Sequence, residues 1–168
     1  AKQISKGQLE RLSNGKIIVS CFGDLMLEVI LEGKAYSLRP YGDISQYTDN
    51  TTYFKSDEQN RLYISNDELS ILVCVPSSDG TSHVFERELN IGGGITGLCD
   101  DLQSNAVYIS NTRGLFRVNR EIWTFDQVKG KNNELVQTSY SVLADDDGNL
   151  WLSTNNGLMK YFPGTEDV

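Results

Sequence analysis

The chain has 168 residues, 39% of them hydrophobic and 23% charged, with 15 Lys and Arg against 23 Asp and Glu for a net charge of −8. That length suits one domain with an apolar core, and an acidic chain without a basic run gives a phosphate backbone nothing to hold, so nucleic acid is excluded as a partner. The longest apolar stretches, 25–31 and 71–75, are strand-sized and fall short of the roughly 18 to 20 residues of a membrane-spanning helix.

Taken in chain order, the sequence repeats itself. The segments RLSNGKIIVSCFGDLMLEV (11–29), KSDEQNRLYISNDELSILV (55–73), CDDLQSNAVYISNTRGLFRV (99–118) and ADDDGNLWLSTNNGLMKYF (144–162) share one plan. Each runs from a short approach strand through a polar turn into an apolar strand that ends on a serine, then through a second polar turn into another apolar strand. The serines fall at Ser20, Ser65, Ser110 and Ser153, spaced by 45, 45 and 43 residues, and Ile18, Tyr63, Tyr108 and Trp151 keep those spacings two positions earlier. Between the copies lie further alternating runs, KAYSLRP (34–40), SHVFEREL (82–89) and EIWTFDQV (121–128).

Four strands per repeat follow: an inner strand a, then b through the aromatic position, c after the second turn, and d before the link to the next unit. The units span about 7–50, 51–94, 95–138 and 139–168, and no stretch of helical period and adequate length interrupts them. Four-stranded antiparallel units at this period are the pattern of a β-propeller, so the expected fold class is all-β, with about four blades and the last incomplete. Either residues 1–6 supply the missing strand and close a four-bladed ring, or the chain is a piece of a larger propeller; the second is the reading favoured here. Tyr63, Tyr108 and Trp151 are expected between blades, because a blade's apolar faces are covered by its neighbours.

Several residues invite a chemical reading. Asp145, Asp147 and Asn149 imitate the start of a calcium loop, but Leu150 and Asn156 stand where such a loop needs Gly and Glu. A tight turn with Asp capping backbone N–H groups and Gly148 at positive φ is the simpler account. His83, the only histidine, is expected on an outer d strand, solvated or half-packed, where it assembles no triad or multi-histidine metal site. The glycines of NIGGGITG (90–97) lack the Gly-Lys-Ser/Thr ending of a phosphate cradle. Cys21, Cys74 and Cys99 are widely spaced and odd in number, which points to free buried thiols.

In a propeller the b–c and d–a connections share one face and the a–b turns occupy the other. The candidate ligand-binding residues on the first face are Tyr47, Asn66, Asn111, Arg113, Asn155 and Asn156. They offer amide donors and acceptors, one cation and one stacking ring, a set suited to a neutral or acidic oligosaccharide. The bland alternative is that Asn and Gly are simply good turn residues.

The last copy, with Asp145, Gly148, Asn149, Leu150, Trp151, Thr154, Gly157, Leu158 and Tyr161, resembles the two-component regulator propeller repeat. The third copy keeps Asp100, Asn105, Tyr108, Ser110, Gly114 and Leu115, with Ser104 in place of Gly and Tyr in place of Trp. The resemblance implies the periplasmic sensor region of a Bacteroidetes hybrid two-component histidine kinase/response regulator. It implies an oligosaccharide ligand that regulates polysaccharide utilisation and leaves kinase activity to other parts of the parent; from the residues themselves no catalytic group, cofactor or metal site is expected in this chain. The partners implied are the remaining blades and the signalling domains of a parent chain; open blade edges make a homodimer a further expectation. The alternatives are a propeller enzyme of the streptogramin lyase or lactonase type, and a propeller scaffold that binds protein.

Overall fold

A computed structural model of the chain describes residues 7–21, 26–44, 51, 53–65, 70–101, 103–130, 134–136 and 139–163. Among them there are fifteen β-strands and no α-helix. The chain divides into two compact units, Ala1–Gly94 and Ile95–Val168.

The first unit holds two four-stranded meanders. One is built from β1 (Gly7–Arg11), β2 (Ile17–Cys21), β3 (Leu27–Glu32) and β4 (Ala35–Pro40), the other from β5 (Tyr53–Ser56), β6 (Leu62–Ser65), β7 (Ile71–Pro76) and β8 (His83–Leu89). The second unit holds β9 (Ile95–Asp100), β10 (Ala106–Asn111), β11 (Gly114–Asn119) and β12 (Phe125–Gln127), followed by a three-stranded sheet of β13 (Ser139–Ala144), β14 (Leu150–Thr154) and β15 (Gly157–Tyr161). Every pairing is antiparallel between sequence neighbours, which is the a-b-c-d order expected from the repeat. One expectation is corrected: Glu121–Thr124 is a turn, and only Phe125–Gln127 form the strand. The cause is Asn119, whose side-chain oxygen accepts from the Glu121 and Ile122 N–H groups while Trp123, at φ 56°, donates to its carbonyl.

Strand burial follows position in the sheet. The middle strands β6 and β10 are buried along their whole length, whereas the outermost strand β4 is exposed throughout. In each unit a core lies between the two sheets. In the first, Leu12, Ile18, Met26, Tyr41, Phe54, Leu62, Ile64 and Leu72 cluster, with Cys74 among them. In the second, Tyr108 and Leu115 of one sheet meet Val142, Leu150, Leu152 and Tyr161 of the other. These are the sheet-on-sheet contacts that the apolar alternation of each repeat specifies.

First strands meet first strands. β1 lies against β5, where Gln8 accepts from the Phe54 N–H at 2.7 Å and Glu10 pairs with Lys55 at 3.0 Å. β9 lies against β13 so closely that a Cβ on Gly97 would stand 2.7 Å from the Val142 nitrogen and 3.0 Å from the Ser141 Cα. Gly97 is therefore required for space.

Candidate functional site

The turns at the two ends of the sheets differ in chemistry. At the a–b end, an aspartate recurs every 44 residues as Asp57, Asp101 and Asp145, and each folds its own turn. Asp57 accepts from the Gln59 and Arg61 N–H groups at 3.0 and 2.8 Å, and Asp145 accepts from those of Asp147 and Asn149 at 3.2 and 2.8 Å. The second carboxylate oxygen takes the polar tip of the aromatic six residues on, the Tyr63 hydroxyl at 3.1 Å for Asp57 and the Trp151 indole N–H at 3.1 Å for Asp145. Asp101 follows the same plan with a turn one residue longer, bonding the Gln103 N–H and the Arg117 guanidinium. In the first sheet Leu12 and Ile18 take the places of the aspartate and the aromatic, and both are buried.

The acidic motif at residues 145–149 is thus a strut. Desolvation works against the charged form of Asp145, but the Asn149 side chain and backbone, Lys160 and Trp151 all donate to it and hold its carboxyl well below the usual range. Lys160 also lies 3.1 Å from the carboxylate and 4.8 Å from the Trp151 ring centroid. Both carboxylate oxygens of Asp145, the first of the residues that imitate calcium ligands, are occupied by these donors. Among the described residues no three His, Cys, Asp or Glu side chains converge as a metal-ligating group.

The b–c end carries the candidates for binding. Tyr47 and Asn66 lie outside the described residues. Asn111 and Arg113 share the β10–β11 turn, where the buried Asn111 oxygen accepts from the Arg113 and Gly114 N–H groups at 2.8 and 3.1 Å. The Arg113 residue is exposed and its carbonyl accepts from the Gln127 amide at 2.8 Å. Asn155 and Asn156 share the exposed β14–β15 turn, closed by Thr154, whose hydroxyl donates to the Gly157 carbonyl and accepts from the Asn156 N–H.

The structure adds a residue that the repeat pattern does not single out. Tyr140, at the start of the inner strand β13 and 54% exposed, donates its hydroxyl to the Asn155 side-chain oxygen. That bond holds an aromatic ring and an amide side by side in the open. Two hydroxyl pairs bridge the a and b strands of the second unit, Ser141 with Ser153 at 2.9 Å and Thr96 with Ser110 at 3.1 Å. The available signal was an aromatic at the start of an a strand whose paired b strand ends in an Asn-rich turn.

His83 departs from expectation. It does begin the outer strand β8, but it is 0% exposed and both ring nitrogens are engaged, Nδ1 with the Tyr41 hydroxyl and Nε2 with the Asn60 carbonyl, each at 2.7 Å. The covering atoms come from Tyr41, 42 residues upstream in the link after β4. Cys74 and Cys99 are free thiols pushed up to about 12 by burial, which leaves them protonated and unreactive.

Residues 133–156 match the family model described as the two component regulator propeller. This segment is similar to a two-component regulator propeller repeat. The matched repeat takes in Tyr140, the Asp145 turn, Trp151 and the start of the β14–β15 turn at Asn155. No curated protein matches the chain. Among solved structures, the extracellular domain of Bacteroides thetaiotaomicron BT4673, named as a hybrid two-component system, is 17% identical with a TM-score of 0.68 and is matched over 95% of this chain and 20% of its own. PorZ, a surface component of the type-IX secretion system of Porphyromonas gingivalis, is 12% identical at TM-score 0.63 over 95% of this chain and 26% of its own. A Bacteroides uniformis protein named as a 6-phosphogluconolactonase is 12% identical at TM-score 0.60, over 94% and 51%. These likenesses are of fold, and the fold carrying the regulator propeller repeat is all-β and of propeller type. The chain spans about a fifth of the BT4673 domain.

Proposed function

We propose that the chain is part of the extracytoplasmic, periplasmic sensor propeller of a hybrid two-component signalling protein and binds an oligosaccharide without transforming it. The regulator propeller repeat at residues 133–156 carries this reading, and the shared fold with a domain named as extracellular supports it. The ligand surface lies at the b–c end, because the acidic a–b turns are closed by their own hydrogen bonds. An exposed ring fixed beside an amide is suited to a sugar: the ring covers the apolar face of a pyranose while the amide and neighbouring hydroxyls address its OH groups. Tyr140 and Asn155 supply that pair, with Asn156 in the same turn and Arg113 as the cation for an acidic sugar.

Signalling is then a population shift. A sugar that binds one arrangement of the sensor better than another biases the kinase domains of the parent by that difference in affinity and no more. A propeller enzyme of the lactonase type shares the fold, but the one histidine has both nitrogens bonded in the interior and offers no exposed base.

Calorimetric titration with short gluco-, manno-, galacto- and galacturono-oligosaccharides tests the proposal. At least one is expected to bind saturably, and Tyr140→Ala is expected to weaken it by about tenfold or more, the loss of a stacked ring at a binding site. Turnover of any of these sugars, or binding that Tyr140→Ala leaves unchanged, would count against it.

A further inference from the structure

We propose that the buried chain Tyr41–His83–Asn60 is a proton-sensitive latch between the β1–β4 and β5–β8 sheets, closed while His83 is neutral and released when its ring takes up a second proton. The geometry fixes the ring's state. The Asn60 carbonyl can only accept, so Nε2 carries the hydrogen and Nδ1 is left to accept from the Tyr41 O–H. Tyr41 is itself fully buried, in the link that leaves β4, whereas His83 opens β8 and Asn60 lies in the β5–β6 turn. The latch thus ties one sheet to two elements of the other.

Protonation of Nδ1 undoes this arrangement. The imidazolium would become a donor, the Tyr41 hydroxyl would have to turn its proton away, and it has no other partner among the described residues. A charge would then sit in the interior of the first unit. Lys16 Nζ, 5.8 Å from the Tyr41 ring centroid, opposes that charge from the β1–β2 turn. Glu28 on β3 faces the same region, paired with Lys16 at 3.3 Å and Arg39 at 2.9 Å; Asp57 and Arg61 face it from the β5–β6 turn, and Cys74 from β7. Desolvation, with a smaller contribution from Lys16, outweighs the Asn60 bond and Asp57 and lowers the His83 pKa.

The acceptor side of the latch is held at a cost. Asn60 adopts φ 59°, and its side-chain oxygen is buried without a hydrogen-bond partner. The neighbouring seam is close as well: a Cβ on Gly42 would stand 3.0 Å from that of Ser82, the Asn14 amide donates to the Gly80 carbonyl at 3.3 Å, and the Lys16 ammonium donates to the Thr81 carbonyl. Opening at His83 therefore frees a defined strip, residues 41–44, 57–61 and 77–83.

The sign follows from linkage. A histidine whose pKa is lowered by folding binds fewer protons in the closed state, so the latch is at full strength above the ordinary value, about 6.5, and weakens as pH falls through and below it. Amide hydrogen exchange of the intact chain from pH 7.5 to 5, corrected for intrinsic rates, reads this out. Protection of the strip is expected to fall up to about tenfold per pH unit below roughly 6, the limit for a one-proton linkage. In His83→Gln, whose amide can donate to Asn60 and accept from Tyr41 without titrating, protection is expected to stay flat. NMR titration of the His83 ring gives a second readout, expected below the ordinary value in the wild type and moved upward by Tyr41→Phe, which removes the donor to the neutral ring. An ordinary His83 titration, a Tyr41→Phe variant that leaves it unmoved, or an equal loss of protection in His83→Gln would each overturn the latch.

Discussion

Tyr108→Ala is expected to destabilise the second unit by about 3 to 5 kcal/mol, the usual range for deleting a large buried ring. Trp151→Ala, at the equivalent position one repeat later, is expected to cost only about 1 kcal/mol. Both residues are the aromatic of strand b, but Tyr108 is 2% exposed among Leu115, Val142, Leu150 and Tyr161, whereas Trp151 is 36% exposed. Tyr63 and Tyr108 are both buried, and Tyr108 lies in the core between the second unit's two sheets as expected, whereas Trp151 is partly exposed. The neighbours of Trp151 behave alike: Cys99 and Leu115 pack against the second unit's core, while their repeat equivalents Leu143 and Leu158 are 68% and 70% exposed. What remains to Trp151 is the indole bond to Asp145 and the Lys160 ammonium over its ring. Both tryptophans of the chain, Trp123 and Trp151, lie in the second unit, so denaturant unfolding followed by fluorescence reports on that unit, with Trp123 remaining as the probe in Trp151→Ala. Equal losses for the two substitutions would contradict the sheet-on-sheet assignment.

Gly114→Ala is expected to cost about 3 kcal/mol or more, and Gly157→Ala about 1 kcal/mol. The two glycines open equivalent c strands 43 residues apart, and both have a backbone that disfavours a side chain, φ +137° and +108°. They differ in surroundings. A Cβ on Gly114 would stand 2.2 Å from the Val136 carbonyl oxygen and 2.7 Å from the Gln127 amide nitrogen, whereas one on Gly157 would meet nothing within 4 Å. The Val136 carbonyl accepts from the Leu115 N–H beside it, so it cannot retreat without losing that bond. The same fluorescence-monitored unfolding measures both, and a Gly114→Ala protein as stable as Gly157→Ala would show that the chain at Val136 yields freely.

The repeat was legible because its signals are local. Apolar alternation, turn residues and the 43-to-45-residue spacing set out a, b and c strands without reference to anything distant, and the pairings follow that order. The Asp145 turn was legible for the same reason, since its donors lie within six residues except for Lys160. What was not legible depends on distant partners. His83 reads as a solvated or half-packed strand residue until Tyr41 and Asn60 close over it, and for Asn111 the sequence offers both a ligand contact and a turn residue, with only the structure showing its oxygen capping its own turn. Tyr140 looks like an ordinary strand aromatic until its hydroxyl is found on Asn155. The d strand at 121–128 was overread because alternation alone does not show that Asn119 will fold the first half into a turn.

The most direct test of the account is to map, by backbone NMR chemical shifts, where an oligosaccharide identified by calorimetry touches the chain. The account predicts that the perturbed amides lie at the b–c end, around residues 112–114, 140–141 and 155–157, while those of the aspartate turns at 57–61, 101–105 and 145–149 stay still. Perturbations centred on the aspartate turns would contradict it, because they would make the recurring acidic motif the binding site and the b–c turns its scaffold.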